Sequence, residues 1–303
     1  MSFHLSGGYL RICSPQTTFK HLLLSIYDDL SMTEEEKRSL RQQRKEKKLA
    51  HKLRIVEKRD RMLIKDLSSE RAVMEEVFDR STLMTIYDFM NKGKIDEIYG
   101  VVNAGKEARV YWGKDQDGRE LAIKIYLTVS AEFKKGMLPY IRGDPRFAHV
   151  RKDTRSLIYA WAQKEFKNLQ RAMDASVKVP EPIAVSKNVL IMSFIGKNGD
   201  SAPLLKEVSI KNSKQVYRRL LTYMKKLYQK AKLVHADLSE YNIMIWKNTP
   251  VLFDVAQAVT LEHPMADQFL RRDLQNLYKY FKKLGVDVLS VEEMHRRITG
   301  DKT

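Results

Sequence analysis

Between Val234 and Val259 the chain reads VHADLSEYNIMIWKNTPVLFDVAQAV, and four polar residues, His235, Asp237, Asn242 and Asp254, stand among side chains of core character. A carboxylate or amide taken out of water is costly unless it finds a partner. Whatever fold holds this stretch must therefore supply partners for two carboxylates and an amide. Taken alone, HADLSEYN could be a polar turn ahead of a hairpin built from IMIWKNTPVLF. The rest of the chain decides between that and a working site.

From Ile98 the residue pattern has the period of strands. IYGVVNAGKEARVYWGKDQDGRELAIKIY predicts two or three strands, with a hairpin turn at Gln116-Asp117-Gly118. Upstream, ERAVMEEVFDRSTLMTIYDFMNKG predicts a helix capped by Ser68–Ser69 and stopped at Gly93. Residues 128–154 contain Lys, Gly and Pro and predict a long functional loop, since ordinary connections are shorter. A long helix over SLIYAWAQKEFKNLQRAM follows, then two strands in VPEPIAVSKNVLIMSFIG and a helix from Ser213 to Lys230. Beyond the opening stretch come helices from Pro264 to Phe281 and from Ser290 onward. Strands with one helix, followed mostly by helices, predict an α+β fold of two lobes.

Lys124 lies in LAIKIY, where alternation puts Leu121, Ile123 and Ile125 on one face and Ala122, Lys124 and Tyr126 on the other. A lone strand lysine is most often exposed, its stem snorkelling to water. A mid-strand lysine that is buried needs an anion. In the long helix, Leu157, Trp161, Glu165 and Leu169 follow at i+4 steps, so Glu165 falls on the apolar stripe, with Lys164 and Lys167 outside it. Lys124 and Glu165 answer each other's need.

HADLSEYN fits the H-x-D-L-x-x-x-N pattern of a kinase catalytic loop, and FDVA, twelve residues after Asn242, takes the place of its DFG. Phosphoryl transfer needs one carboxylate near the acceptor and oxygen ligands for Mg²⁺ on the nucleotide phosphates. On this reading Asp237 is the base, and Asn242 and Asp254 hold metal. Between two strands before the lysine strand, VVNAGKEARVYWG has one loop glycine, Gly105, where a glycine-rich phosphate loop has three, and it is not a Walker A sequence.

The blocks GKEARVYWG, LAIKIY, WAQKEFKNL, MSFIGKNGDSAPLLKEV, LVHADLSEYN, FDVAQAV and HPMADQFLRRDL resemble the RIO family of atypical serine/threonine protein kinases, its archaeal type-1 branch in particular, over about residues 70–285. The resemblance implies a bilobal protein-kinase-like fold with a β-rich N-lobe, about 67–194, and a reduced helical C-lobe, about 195–303, in a RIO kinase domain spanning 67–303. It implies ATP and Mg²⁺ as cofactors, with Mn²⁺ as an alternative cation. It assigns nucleotide contacts to Gly105, Lys106, Glu107, Val110, Ala122, Lys124, Glu165, Met192, Ser193 and Ile195, the last two through hinge backbone groups. It also implies that Asp254 can accept the phosphoryl group. The family's phosphate loop begins Ser-Thr where this chain has Asn103-Ala104, so a hydroxyl contact to phosphate is missing. Ala236 replaces the arginine that conventional kinases place before the catalytic aspartate. Forty-nine residues follow Asp254 with no A-P-E, which predicts no activation segment with a full peptide-binding lobe.

Charge bears on partners. The net charge is +17, and between Lys37 and Arg61 twelve Lys and Arg face only Glu46, Glu57 and Asp60. A basic, partly helical or disordered extension over 1–66 suits a polyanion, most simply RNA. The family resemblance implies the pre-small ribosomal subunit. A solvated helical face is the plainer alternative. The single cysteine, Cys13, excludes an internal disulfide, and no apolar run has the length of a membrane span. A cytoplasmic monomer without membrane contact is the expectation. Two other functions compete: a small-molecule kinase of the aminoglycoside or choline type, which shares the H-x-D…N…D core, and a non-catalytic ribosome-binding scaffold with nucleotide as structural ligand. The short C-terminal part and the basic charge disfavour the first.

Overall fold

The computed structural model describes residues 78–128, 131–210 and 212–300, with the side chains of 131–135 outside that description. The Ser68–Ser69 cap and the basic segment lie outside the described residues. Two compact units are present, one ending at Gly100 and including Lys114–Asp117, the other comprising Val101–Gly113 and everything from Gly118.

In the first unit, helix α1 (Arg80–Asn91) starts one residue after Asp79, whose carboxylate accepts from Thr82 N–H at 2.8 Å. The backbone at Asp79 is extended, so the helix expected from Glu70 onward does not run through this point. Its end is as expected: Gly93 has φ +66 and its amide donates to Met90 O.

The second unit holds most of a five-stranded sheet ordered β1-β2-β3-β5-β4, from β1 (Glu97–Ala104), β2 (Ala108–Lys114), β3 (Glu120–Tyr126), β4 (Pro182–Ser186) and β5 (Val189–Ser193). Gly118, with φ +76, makes the turn into β3. Both faces of β3 are buried, which is why its alternation carries a lysine safely. The stretch expected to be one long loop holds helix α2 (Ala131–Ile141), which contains Gly136 and Pro139, and a 3₁₀ turn at Pro145–Phe147, with residues 142–144 and 148–153 in turns and irregular chain. Met137 and Tyr140, three apart, are buried; Tyr140 stacks on Phe269 at 5.2 Å and meets Trp161 edge-on at 6.3 Å. Burial of those side chains outweighs the local preferences of Gly136 and Pro139.

Helix α3 (Thr154–Asp174), capped by Asp153, packs on β4 and β5 and on the turn that follows Asp254. The remaining elements are α4 (Ser213–Lys226), which runs on into a π-helical turn at Leu227–Ala231, the short pairs β6 (Gly196–Lys197) with β7 (Asp200–Ser201) and β8 (Leu233–Val234) with β11 (Val259–Thr260), the hairpin β9 (Ile243–Trp246) with β10 (Thr249–Leu252), 3₁₀ turns at Leu205–Glu207 and Val255–Gln257, and helices α5 (Ala266–Lys283) and α6 (Val291–Thr299). One core cluster joins Trp161, Leu220, Leu252, Leu274, Leu277 and Phe281. The expected α+β organisation, a sheet followed by a helical part, is what forms. Among the described residues no helix is long and apolar enough to cross a membrane.

Candidate active site

Lys124 is 8% exposed, and its ammonium lies 2.9 Å from Glu165 Oε1 and 2.8 Å from Asp254 Oδ1. Burial opposes its charge, but the carboxylates of Asp254 and Glu165 outweigh burial and hold the lysine well above its ordinary range. Burial raises Glu165, while at Asp254 burial is overcome by Lys124 and the carboxyl is pulled down. The strand and helix periodicities thus bring together the pair they predicted. Tyr126, two residues on along the same face, donates its hydroxyl to Glu165 Oε2, so both Glu165 oxygens are held. The sequence reading missed that role, although the β3 alternation already placed Tyr126 beside Lys124.

The spacing of Asn242 and Asp254 follows from the hairpin between them. Ile243 pairs with Leu252 and Trp246 with Thr249, and Lys247 and Asn248, both with positive φ, form the two-residue turn. The two site residues therefore flank one end of the hairpin, where Phe253 N–H donates to Asn242 O at 3.2 Å. Asn242 Nδ2 donates to Asp237 Oδ2 at 2.9 Å and to the Asp237 carbonyl at 2.8 Å, so Oδ1 is the atom that could serve as a ligand. Burial raises the Asp237 carboxyl, and the negative Asp254 adds to the rise. Burial also holds His235 down to about 4, so it is neutral at neutral pH.

Three residues of α5 fix the backbone on either side of Asp237. Asp273, fully buried, accepts from the amides of Ala236 at 2.8 Å and Leu238 at 2.9 Å; Arg272 donates to Ala236 O, and Asn276 to Leu238 O at 3.0 Å. Burial lifts Asp273 to about 7 against the pull of those amides. They too were missed. The available signal was a carboxylate on the apolar stripe of α5, four residues after Phe269 and four before Leu277.

Val110, Ala122 and Met192 pack in one apolar cluster with Leu169 and Val255, a surface suited to the flat face of a base. After β5, Ser193 N–H is bonded to Glu181 O and Ile195 O accepts from Ala202 N–H, so the Ser193 carbonyl and the Ile195 amide are the backbone groups that could meet a base edge there. Gly105 makes a tight turn, its amide donating to Ala108 O at 3.0 Å, and Lys106 beside it is exposed. Glu107 is half-buried; burial raises its carboxyl, and Asp254 and Asp237 raise it further. All thirteen expected site residues belong to the second unit.

The donor set fits Mg²⁺: Asn242 Oδ1 and the Asp254 carboxylate are hard oxygens, and Mg²⁺ is ordinarily held by one or two carboxylates together with substrate phosphates. Among the described residues no group of three His, Cys, Asp or Glu is placed to hold a metal ion.

A model of the RIO domain matches residues 109–294. The chain belongs to the RIO family. It is 40% identical over 242 residues to the RIO-type serine/threonine-protein kinase Rio1 of Haloferax volcanii, covering 80% of this chain and 82% of that protein. It is also 40% identical over 244 residues to the human serine/threonine-protein kinase RIO1, covering 79% of this chain but only 43% of the human protein. The solved Rio2 kinase–ADP/Mg²⁺–phosphoaspartate complex from Chaetomium thermophilum superposes with a TM-score of 0.55 at 19% identity, over 72% of this chain and 66% of that one. That likeness supports the protein-kinase-like fold. As a RIO kinase of the Rio1 type, the chain is an ATP-dependent phosphotransferase of the serine/threonine protein kinase class.

Proposed function

We propose that this RIO kinase uses Mg-ATP, that it hydrolyses ATP slowly through a phosphoryl group carried on Asp254, and that this cycle serves maturation of the small ribosomal subunit. The observation that supports the chemistry most is the single ammonium, Lys124, bridging Glu165 and Asp254 beside the Asp237–Asn242 pair. On this reading Lys124, oriented by Glu165, holds the α- and β-phosphates. Asn242 and Asp254 would hold Mg²⁺, which when bound neutralises phosphate charge and aligns the γ-phosphate.

Asp254 is the nucleophile in this scheme. One carboxylate oxygen forms a bond to the γ-phosphorus, the bond from phosphorus to the β–γ bridging oxygen breaks, and ADP leaves with the electron pair. Lys124 keeps Asp254 ionised, the form an attacking oxygen needs. Asp237 then takes a proton from the water that attacks phosphorus, releasing phosphate and restoring the Asp254 carboxylate. The chain passes from Asp254 through the turn Val255–Gln257 and β11 directly into α5, so no extended segment lies there to hold a peptide. Both features favour hydrolysis with weak autophosphorylation over rapid transfer to other proteins.

The chemical trap is direct. Enzyme labelled from γ-³²P-ATP and quenched should lose its label to hydroxylamine, which cleaves acyl phosphates. Label that resists hydroxylamine, with rapid phosphorylation of an added protein, would make this an ordinary serine kinase.

For the partner, the support is the charge of Lys37–Arg61. Each phosphate neutralised releases counterions, so affinity for ribosomal RNA should fall steeply with salt. Removing residues 1–66 is expected to weaken RNA binding and flatten that slope. Unchanged affinity and slope would remove the basic segment as the RNA contact.

A further inference from the structure

Asp254 sits in the left-handed region, φ 55 and ψ 57, where a residue with a side chain needs support from its surroundings. The support is on the four residues that follow. Val255 O accepts from Asn168 Nδ2 at 2.8 Å, Ala256 O from Lys164 Nζ at 2.9 Å, Gln257 O from Lys164 Nζ at 3.3 Å, and Ala258 O from Asn168 Nδ2 at 3.2 Å and Arg146 Nη2 at 3.3 Å. Every carbonyl of the turn is thus held by a side chain from α3 or from the 3₁₀ turn before it. Arg146 in turn donates from Nη1 to Asn168 Oδ1 at 2.7 Å, and buried Asp144 grips the same guanidinium at 2.6 Å.

Lys164 is the unexpected member. Sequence spacing put it outside the apolar stripe of α3, yet it is 2% exposed, with its ammonium 4.2 Å from the Trp161 ring centroid. Burial pulls it well below its ordinary range, and Arg146 adds to the fall. Even as a neutral amine it keeps two N–H donors, matching its two carbonyls. A core that needed only volume here would be served by leucine or methionine. Lysine and asparagine on successive turns of one helix, aimed at four consecutive carbonyls, do something packing cannot: they fix the backbone that aims Asp254.

We infer that Lys164 and Asn168, with Arg146 locking Asn168, are positioning residues that hold Asp254 in its metal-binding geometry before any nucleotide arrives. The inference rests on the reading of Asp254 as a metal ligand. It makes the segment after Asp254 a fixed part of the site, where a switching kinase would have a movable one.

The test compares wild type with Lys164→Met, which keeps the stem and removes the donors, and with Arg146→Met, which lies nearer the surface and frees Asn168. ADP affinity is measured by calorimetry without metal and across a MgCl₂ titration, together with amide hydrogen exchange over residues 254–260. Lys164→Met should leave metal-free ADP affinity within about twofold and raise the Mg²⁺ concentration for half-maximal tightening by roughly tenfold, the scale on which partners of metal ligands act. Exchange should rise in 254–260 while α5 stays protected. Arg146→Met should shift both in the same direction by less, and carries the test alone if Lys164→Met does not fold. An unchanged Mg²⁺ midpoint with unchanged exchange in a folded variant overturns the inference. Metal-free and metal-bound ADP affinities that fall together, with the Mg²⁺ midpoint unchanged, overturn it as well. If wild type shows no Mg²⁺ effect on ADP, the reading of Asp254 as a ligand is what fails; unchanged exchange in the variants would then also dismiss the clamp.

Discussion

Lys124→Ala is expected to lower ATP turnover by about 10²–10³-fold, the usual scale for losing one preorganised electrostatic contact to a reacting group. The substitution removes the ammonium that Glu165 and Asp254 share at 2.9 and 2.8 Å; it strands the buried Glu165, whereas the Asp254 side chain, 45% exposed, stays within reach of water. Breaking a buried pair from one side ordinarily costs about 3–5 kcal/mol of stability. Part of that is recoverable by protonation, since burial already raises Glu165 with the lysine present. A carboxyl whose folded pKa is raised loses its stability contribution as pH rises through that value. The melting deficit of Lys124→Ala against wild type should therefore be smaller near pH 5 than near pH 8. Thermal melts at the two pH values, beside turnover, check both parts. A variant with wild-type turnover would remove Lys124 from the phosphate site.

Asp237→Ala should lower turnover by about 10²–10⁴-fold, the span ordinarily attributed to one positioned acid–base group. Nucleotide affinity should hold. Asn242 Nδ2 is bonded to the Asp237 backbone carbonyl as well as to its carboxylate, and the carbonyl survives the substitution. The loop itself is gripped from α5 through the amides of Ala236 and Leu238 and the carbonyls of Ala236 and Leu238, none of which uses the Asp237 side chain. The loss should fall on kcat with KM for ATP little changed, which is the pattern of a group acting on the chemistry.

What could be read from the chain alone was the part with local causes. Lys124 and Glu165 each betray themselves by a charge on an apolar face, and the period of a strand or a helix is a property of neighbouring residues. Asn242 and Asp254 were legible through their spacing because a hairpin of fixed length joins them. The turn at Gly118 and the stop at Gly93 follow from backbone chemistry in the same way.

The unread part depends on contacts far apart in sequence. The i+4 spacing leaves Lys164 outside the apolar stripe, and nothing near it in the chain announces that carbonyls of Ala256 and Gln257 close over it. Asp273 needs the amides of the catalytic loop, again a distant segment. Residues 128–154 looked like a loop because Gly136 and Pro139 disfavour helix locally. The packing of Met137 and Tyr140 against the core outweighs that preference.

The most direct measurement is release of ³²P-phosphate from γ-labelled ATP by wild type and Asp237→Ala side by side, each with Mg²⁺ and with EDTA, at matched nucleotide occupancy. The account predicts slow Mg²⁺-dependent release by wild type, a fall of at least about 10²-fold in the variant, and undiminished nucleotide binding. Equal rates in the two proteins, or wild-type release that persists in EDTA, would contradict it.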